Sequence, residues 1–178
     1  GHKFHGPKGI GFLYAKSGVK FSPLMHGGAQ ERNQRGGTEN VYGMVGIAKA
    51  LSVAYEEMVA HENHIKGLKS YFIQGLQNNF PGIEFNGLSG EIEKSLYTVL
   101  NVRFPHVQDG DMLLFKLDIE KISASGGSAC SSGTSVGSHV LTALNPLAEG
   151  AAVRFSFSKN NTKSEIDRVL EVLSKIIN

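Results

Sequence analysis

Lys3 is the first residue of the chain whose type and neighbours could carry out chemistry. It lies between His2 and His5 in HKFHGPKG, and glycines flank this group on both sides. A lysine amine can form a Schiff base with an aldehyde, while glycines let backbone N–H groups and an imidazole approach a phosphate. A lysine beside glycine is more often part of a solvated turn, so this stretch alone leaves both interpretations open.

Cys130 is the single cysteine of the 178 residues and lies in SGGSACSSG. It cannot form an internal disulfide, which favours a reducing compartment. A free cysteine is commonly a buried, small apolar residue. The surrounding glycines and serines instead indicate an accessible thiol on a flexible loop, suited to nucleophilic attack.

Arg154 is the single charged residue of AAVRFSF. If it points inward, its planar guanidinium needs an anion such as a carboxylate; on the solvent face of a strand it needs none. Residues 1–35 also hold six lysines and arginines against one acid, which suits a small anion. Within this basic segment, Arg32 and Arg35 could reinforce an anion pocket or pair with acids of their own loop.

Composition and charge exclude several classes of function. The apolar fraction of 40% and charged fraction of 19% are typical of a soluble globular protein, and a net charge of +2 does not support nucleic-acid binding. No apolar run approaches the roughly 18 residues that span a membrane.

His61 and His64 in HENH lack a third ligand nearby, and Asp109 and Asp111 in QDGD fit a helix cap better than a calcium loop. We therefore expect no metal, nucleic-acid or membrane site.

Hydrophobic periodicity predicts the elements that position these residues. IGFLYA reads as a short buried strand, followed by the long glycine-rich loop MHGGAQERNQRGGTEN. A helical pattern of many turns runs from Asn40 to NNFPG. Further along, strands are predicted for IEF, SLYTVLNVRF, EKISAS and AAVRFSFS, and helices for DGDMLLFKL, SVGSHVLTAL and TKSEIDRVLEVLSKII, the last opened by a Thr162–Glu165 capping box. This order predicts an α/β fold with helices packed on a small sheet.

Four motifs in a fixed order, GHKFHGPKGIGFLY, HGGAQERNQRGGTEN, SASGGSACSSG and AVRFSFS, resemble those of the cysteine desulfurases. The resemblance covers essentially the whole chain and begins at the family's cofactor lysine. It implies the C-terminal part of a fold type I transferase that depends on pyridoxal 5'-phosphate (PLP), in the class V aminotransferase family. We expect residues 1–45 to end the large cofactor domain and residues 46–178 to form the small α+β domain with its long linking helix.

The resemblance implies a role for each of five residues. Lys3 matches the lysine that binds PLP covalently and later moves the substrate proton, and His2 matches a residue that hydrogen-bonds the cofactor phosphate. Thr38 matches a threonine that reaches the phosphate of the partner subunit in a homodimer. Cys130 matches the nucleophile that takes up sulfur as a persulfide, and Arg154 matches the arginine that holds the substrate carboxylate.

The activity that the resemblance implies is conversion of L-cysteine to L-alanine in the cytoplasm, with a persulfide passed to a sulfur-acceptor or scaffold protein for iron–sulfur cluster assembly or another sulfur pathway. Because other cofactor ligands of the family precede the lysine, we expect the isolated 178 residues to hold PLP weakly and to be inactive. Gly36 stands where many relatives have serine, which leaves Thr38 in place. The alternatives are a selenocysteine lyase or related enzyme of the same fold, a non-catalytic dimerisation or docking module, and a cofactor-free sulfur carrier using Cys130.

Overall fold

The chain divides into two compact units, Gly1–Met58 and Val59–Asn178. The computed structural model describes residues 1–126 and 138–177. We refer to the two units as unit 1 and unit 2 and describe each by itself. None of the helices in these described ranges is long and apolar enough to cross a membrane.

Six helices and three strands make up the described part of the chain. In chain order they are α1 (Gln30–Asn33), α2 (Val41–Glu56), α3 (Met58–Asn79), β1 (Glu84–Phe85), β2 (Val99–Phe104), α4 (Gly110–Ile119), α5 (His139–Leu144), β3 (Ala151–Ser156) and α6 (Lys163–Ile177), with short 3-10 turns at His2–Phe4 and Ile92–Lys94. The long helical tract predicted from Asn40 is therefore two helices that meet at Glu57. The division predicted between residues 45 and 46 falls inside α2, and the two units divide at the first residue of α3.

Unit 1 has little apolar core of its own. The predicted strand in IGFLYA is wrong, because residues 10–16 form no strand and Phe12, Leu13 and Tyr14 are exposed. A strand needs hydrogen bonds from a neighbouring strand, and the described residues of unit 1 contain none. The prediction for α2 is confirmed at its start, where the Asn40 side chain accepts a hydrogen bond from the Gly43 N–H at 3.0 Å.

Unit 2 is built on a three-stranded antiparallel sheet in the order β1-β2-β3. Alternate residues of β2 and β3 face the helices, and Phe72 of α3 meets Phe155 of β3 edge to face at a ring-centroid distance of 5.0 Å. The buried core contains Ile65, Leu68, Phe72, Ile73 and Leu76 of α3, Leu100, Val102 and Phe104 of β2, Leu113 and Leu117 of α4, Ala151, Val153 and Phe155 of β3, and Ile166, Val172 and Leu173 of α6, together with Phe80 and Phe157. The predicted α/β fold is confirmed.

Helix caps in unit 2 agree with the sequence. The Asp109 carboxylate accepts a hydrogen bond from the Met112 N–H at 2.9 Å at the start of α4. The capping box of α6 is formed in both directions, since the Thr162 N–H donates to the Glu165 carboxylate at 2.7 Å and the Glu165 N–H donates to the Thr162 hydroxyl at 3.4 Å.

The predicted strand in EKISAS is reduced to a single bridge between Ser125 and Arg154. The cause is the end of α4, where Lys121 adopts a left-handed backbone with φ 60°. The Lys121 N–H donates to the Asp118 carbonyl at 2.8 Å, and the Ile122 N–H donates to the Leu117 carbonyl at 2.9 Å. These two bonds form a Schellman motif, so the chain is still turning where the strand was predicted to begin.

Candidate functional site

Lys3 and His2 lie together in the 3-10 turn at the start of unit 1, and both side chains are exposed. The turn is closed by the Gly6 N–H, which donates to the Gly1 carbonyl at 3.0 Å. It packs closely on α2, because a Cβ atom built on Gly46 would lie 2.6 Å from the Pro7 Cγ atom. The small residue in α2 therefore lets the lysine-bearing turn approach the helix.

Thr38 is exposed in the loop that leads into α2. The preceding segment is closed by the Gly36 N–H, which donates to the Met25 carbonyl at 3.0 Å. A Cβ atom on Gly36 would lie 2.8 Å from the Gly27 backbone nitrogen, so the close contact between these two backbone segments requires glycine at position 36. Thr38 lies two residues after Gly36, next to the point where the two backbone segments are in contact.

Arg32 and Arg35 have different surroundings: Arg32 lies in the single turn of α1, and Arg35 lies in the loop that follows. Three consecutive residues, Glu31, Arg32 and Asn33, have positive φ angles of 47°, 57° and 64°. Left-handed backbone is unfavourable for residues other than glycine, at about 1–2 kcal/mol each. Arg35 instead donates to the Gly36 carbonyl at 2.9 Å, and neither arginine forms an ion pair with an acid of the described chain.

Arg154 lies in the middle of β3 on the sheet face opposite the core. Its backbone N–H donates to the Ser125 carbonyl at 2.6 Å, and the Ser125 N–H donates to the Arg154 carbonyl at 3.1 Å. Its Nε atom is buried and has no hydrogen-bond partner among the described residues. An arginine donor buried without an acceptor is costly, and an anionic ligand such as a carboxylate would satisfy it.

A polar network missed by the sequence analysis lies on the same face as Arg154. The buried Arg103 donates through Nε and Nη2 to the Asn86 Oδ1 atom at 3.1 and 2.9 Å, and the Asn86 Nδ2 atom donates to the Asn101 Oδ1 atom at 2.8 Å. Arg103 also donates to the carbonyl groups of Ala148 and Glu149 at 3.3 and 3.4 Å. The polar residues at alternate positions in LNVRF were the available signal, since such residues share one face of a strand.

Lys69 of α3 is a second buried cation that the sequence analysis missed. It is fully buried, and its Nζ atom donates to the Ser95 hydroxyl at 2.8 Å and the Leu96 carbonyl at 3.1 Å. Burial lowers the pKa of the Lys69 ammonium group from its usual value, because desolvation disfavours the charged form. These two bonds fix the segment that enters β2.

The predicted site residues fall in different parts of the chain. Unit 1 brings Lys3 and His2 into one turn and carries Thr38 on a separate loop, while Arg154 belongs to unit 2. Cys130 lies outside the described residues, so its prediction is not tested. Within the ranges that the structure describes, no group of three or more histidine, cysteine, aspartate or glutamate side chains could hold a metal ion.

Comparison with known proteins identifies the class to which this fold and these motifs belong. The chain belongs to the class-V aminotransferase family, whose sequence model matches residues 1–169. Within that class it is 41% identical over 179 residues to the cysteine desulfurase IscS of Dictyoglomus turgidum and 42% identical over 178 residues to that of Clostridium botulinum, in each case over 99% of this chain. The resemblance to the cysteine desulfurases is confirmed.

A solved structure of a NifS-like protein supports the same assignment. It is 38% identical, matches 98% of this chain and superposes with a TM-score of 0.81. The chain spans 44% of the length of this protein and of the two relatives named above. The fold type predicted from the motifs is confirmed.

Proposed function

We propose that the protein to which this chain belongs is a PLP-dependent cysteine desulfurase that converts L-cysteine to L-alanine. The chain's relatives that bear this name, and the order of its four motifs, support the proposal. The observation that carries it furthest is the buried, unpartnered Nε atom of Arg154, because a substrate carboxylate supplies the acceptor that this donor lacks.

The donor set of unit 1 suits a cofactor that carries an aldehyde and a phosphate. Lys3 offers an amine that can be joined to the aldehyde and can hold or release a proton, while His2 offers an imidazole to the phosphate. Thr38 offers a hydroxyl, which in a homodimer would serve the partner's cofactor. When bound, PLP supplies an electron sink for the bonds that break at the substrate.

Cys130 is the proposed sulfur acceptor. Its thiolate attacks the substrate sulfur and forms a sulfur–sulfur bond, while the carbon–sulfur bond breaks and its electron pair stays on the substrate Cβ atom. Protonation of Cβ gives the methyl group of L-alanine, so this carbon is reduced as the two sulfur atoms are oxidised to the persulfide. One sulfur atom moves and no external oxidant is needed. A second thiolate on an acceptor protein then takes the outer sulfur by exchange. Because this chemistry needs a reduced thiol, we place the protein in the cytoplasm.

The test is steady-state kinetics of the complete protein loaded with PLP. Arg154→Gln should raise the KM for L-cysteine by about 10- to 100-fold, as expected for loss of charge-assisted hydrogen bonds, and Arg154→Lys should recover part of that loss. Arg168→Gln is the matched control, because Arg168 lies on α6 and pairs with Glu120 at the surface. An unchanged KM in Arg154→Gln would overturn the role of this arginine.

A further inference from the structure

We propose that Asn86 and Asn101 are positioning residues that keep Arg154 free for the substrate carboxylate. The inference rests on the proposed function, since it assigns the carboxylate to Arg154. It adds that the sheet face around Arg154 is built to turn hydrogen-bond acceptors away from the guanidinium, so that an acceptor from a ligand is preferred.

The register of β2 and β3 brings Asn101 directly opposite Arg154. Both backbone groups of Arg154 bond to Ser125, on the side of β3 away from β2. On the β2 side, the Asn101 carbonyl accepts from the Asn86 N–H at 3.0 Å, which directs it toward β1. Arg154 and Asn101 are therefore a non-hydrogen-bonded pair, in which Cα atoms lie about 4.5 Å apart and side chains are closest.

Asn101 lies opposite Arg154, but its side-chain oxygen is directed toward Asn86 and not toward Arg154. Its Oδ1 atom accepts from the Asn86 Nδ2 atom, which follows β1 on the far side of β2. The Nε atom of Arg154 has no hydrogen-bond partner among the described residues, although Asn101 lies directly opposite Arg154 on β2. With its oxygen held toward Asn86, the Asn101 amide presents its Nδ2 donors away from Asn86.

Arg103 determines which way both amides are turned. A guanidinium has donors and no acceptor, so Asn86 must direct its oxygen to Arg103 and its nitrogen to Asn101. Arg103 is itself held by the carbonyl groups of Ala148 and Glu149. Donation therefore runs in one direction, from Arg103 through Asn86 to Asn101.

The consequence is a face of hydrogen-bond donors around Arg154. A carboxylate has acceptors and no donors, so it complements this face, whereas an ammonium group, which has donors and no acceptor, does not. If the Asn101 amide turned over, its oxygen could accept from the Arg154 Nε atom and compete with the ligand. The network thus leaves the buried Arg154 Nε atom without an acceptor among the described residues, and a ligand carboxylate can provide one.

Substitution of Asn101 tests this inference in the complete, PLP-loaded protein. Asn101→Asp places a fixed acceptor opposite Arg154, and we expect the KM for L-cysteine to rise about 10-fold with kcat within about twofold. Asn101→Ala removes the acceptor together with the Nδ2 donors, and we expect its KM to rise by about threefold, clearly less than that of Asn101→Asp. Equal rises in both variants, or no rise in Asn101→Asp, would overturn the inference.

A second variant and a spectroscopic signal keep the test decisive if Asn101→Asp folds poorly. Asn86→Leu frees the Asn101 amide to turn, and we expect the KM to rise about threefold or more. In nitrogen-15 NMR spectra of the same protein, the Arg154 Nε–H proton should exchange with water more slowly in Asn101→Asp and in Asn86→Leu than in the parent. Unchanged exchange together with unchanged KM in Asn86→Leu would overturn the inference.

Arg154→Gln in the same series separates two kinds of failure. If Arg154→Gln leaves the KM unchanged, the proposed function of Arg154 fails, and the inference fails with it. If Arg154→Gln raises the KM while Asn101→Asp does not, Arg154 keeps its proposed role and the positioning inference alone fails.

Discussion

Units 1 and 2 support their functional residues in different ways. Unit 2 holds Arg154 in the middle of β3, an edge strand of the three-stranded sheet, with a buried core on one face and a connected polar network on the other. Unit 1 carries Lys3 and Thr38 on a turn and a loop, and it exposes aromatic residues such as Phe12 and Tyr14. The comparison indicates that geometry at Arg154 depends on packing within this chain, whereas geometry at Lys3 depends on a few close backbone contacts.

The largest expected effect compares one phenylalanine from each unit. Phe72→Ala should lower the free energy of unfolding of unit 2 by about 3–5 kcal/mol, because Phe72 is buried against Phe155 and Phe157. Phe12→Ala should change stability by less than about 0.5 kcal/mol, because Phe12 is 66% exposed. Urea unfolding followed by circular dichroism measures both. Similar losses in the two variants would break the comparison.

A smaller effect is expected where the lysine-bearing turn meets α2. Gly46→Ala should displace this turn and cost about 1–3 kcal/mol through overpacking, because the new Cβ atom meets Pro7. Amide chemical shifts of residues 2–6 report the displacement. Gly67→Ala is the matched control in α3, where the added Cβ atom meets open space and should stabilise the helix by about 0.5–1 kcal/mol. Equal stabilisation by both alanines would contradict the proposed contact.

The capping box of α6 should contribute about 1 kcal/mol, measured as the loss of stability in Thr162→Ala. The pKa of Glu165 lies below its usual value, chiefly because the Thr162 N–H donates to its carboxylate and secondarily through Asn161. A lowered pKa in the folded state stabilises the protein above the ordinary carboxyl pKa, and this contribution is lost as pH falls through the lowered value. Thr162→Ala keeps the backbone N–H of residue 162, so the pH-dependent part is tested with Glu165→Gln. The difference in unfolding free energy between the parent and Glu165→Gln should shrink in acid; a difference that stays constant with pH would argue against a role for the ionised carboxylate.

The smallest expected effect is a gain in stability at the end of α4. Lys121→Gly should stabilise unit 2 by about 0.5 kcal/mol. Glycine adopts φ 60° without the steric penalty of a Cβ atom, and its greater loss of conformational entropy on folding offsets part of that gain. Lys121→Ala retains the penalty and serves as the control. If glycine and alanine give the same unfolding midpoint, the left-handed turn is not limiting stability.

The sequence predicted best those features that depend on neighbouring residues. The predicted caps at Asp109 and Thr162 follow from local hydrogen bonding, and the structure contains both. The helix predicted to start at Asn40 begins there, with the Asn40 side chain as its cap. IGFLYA was misassigned because its apolar composition does not reveal whether a strand lies beside it. EKISAS was misassigned because the left-handed turn at Lys121 occurs at a residue type that seldom adopts it.

The candidate site was predictable only in part. The motifs supplied Lys3, His2, Thr38, Cys130 and Arg154 through family resemblance, and their roles stay predictions. The bonds of Arg103 and Asn101 to Asn86, and of Arg103 to Ala148, connect three chain segments, so they depend on the register of β1 and β2 and on the loop before β3. No local pattern specifies that register. The unpaired Arg154 Nε atom likewise became visible only in the folded chain.

The most direct test of the central claim is mass spectrometry of the complete, PLP-loaded protein after incubation with L-cysteine and removal of low-molecular-weight thiols. We predict that the peptide containing Cys130 gains the mass of one sulfur atom, that L-alanine appears with it, and that Cys130→Ser abolishes the gain. L-Alanine formed at an unchanged rate by Cys130→Ser, or no L-alanine from the parent protein, would contradict the proposed function.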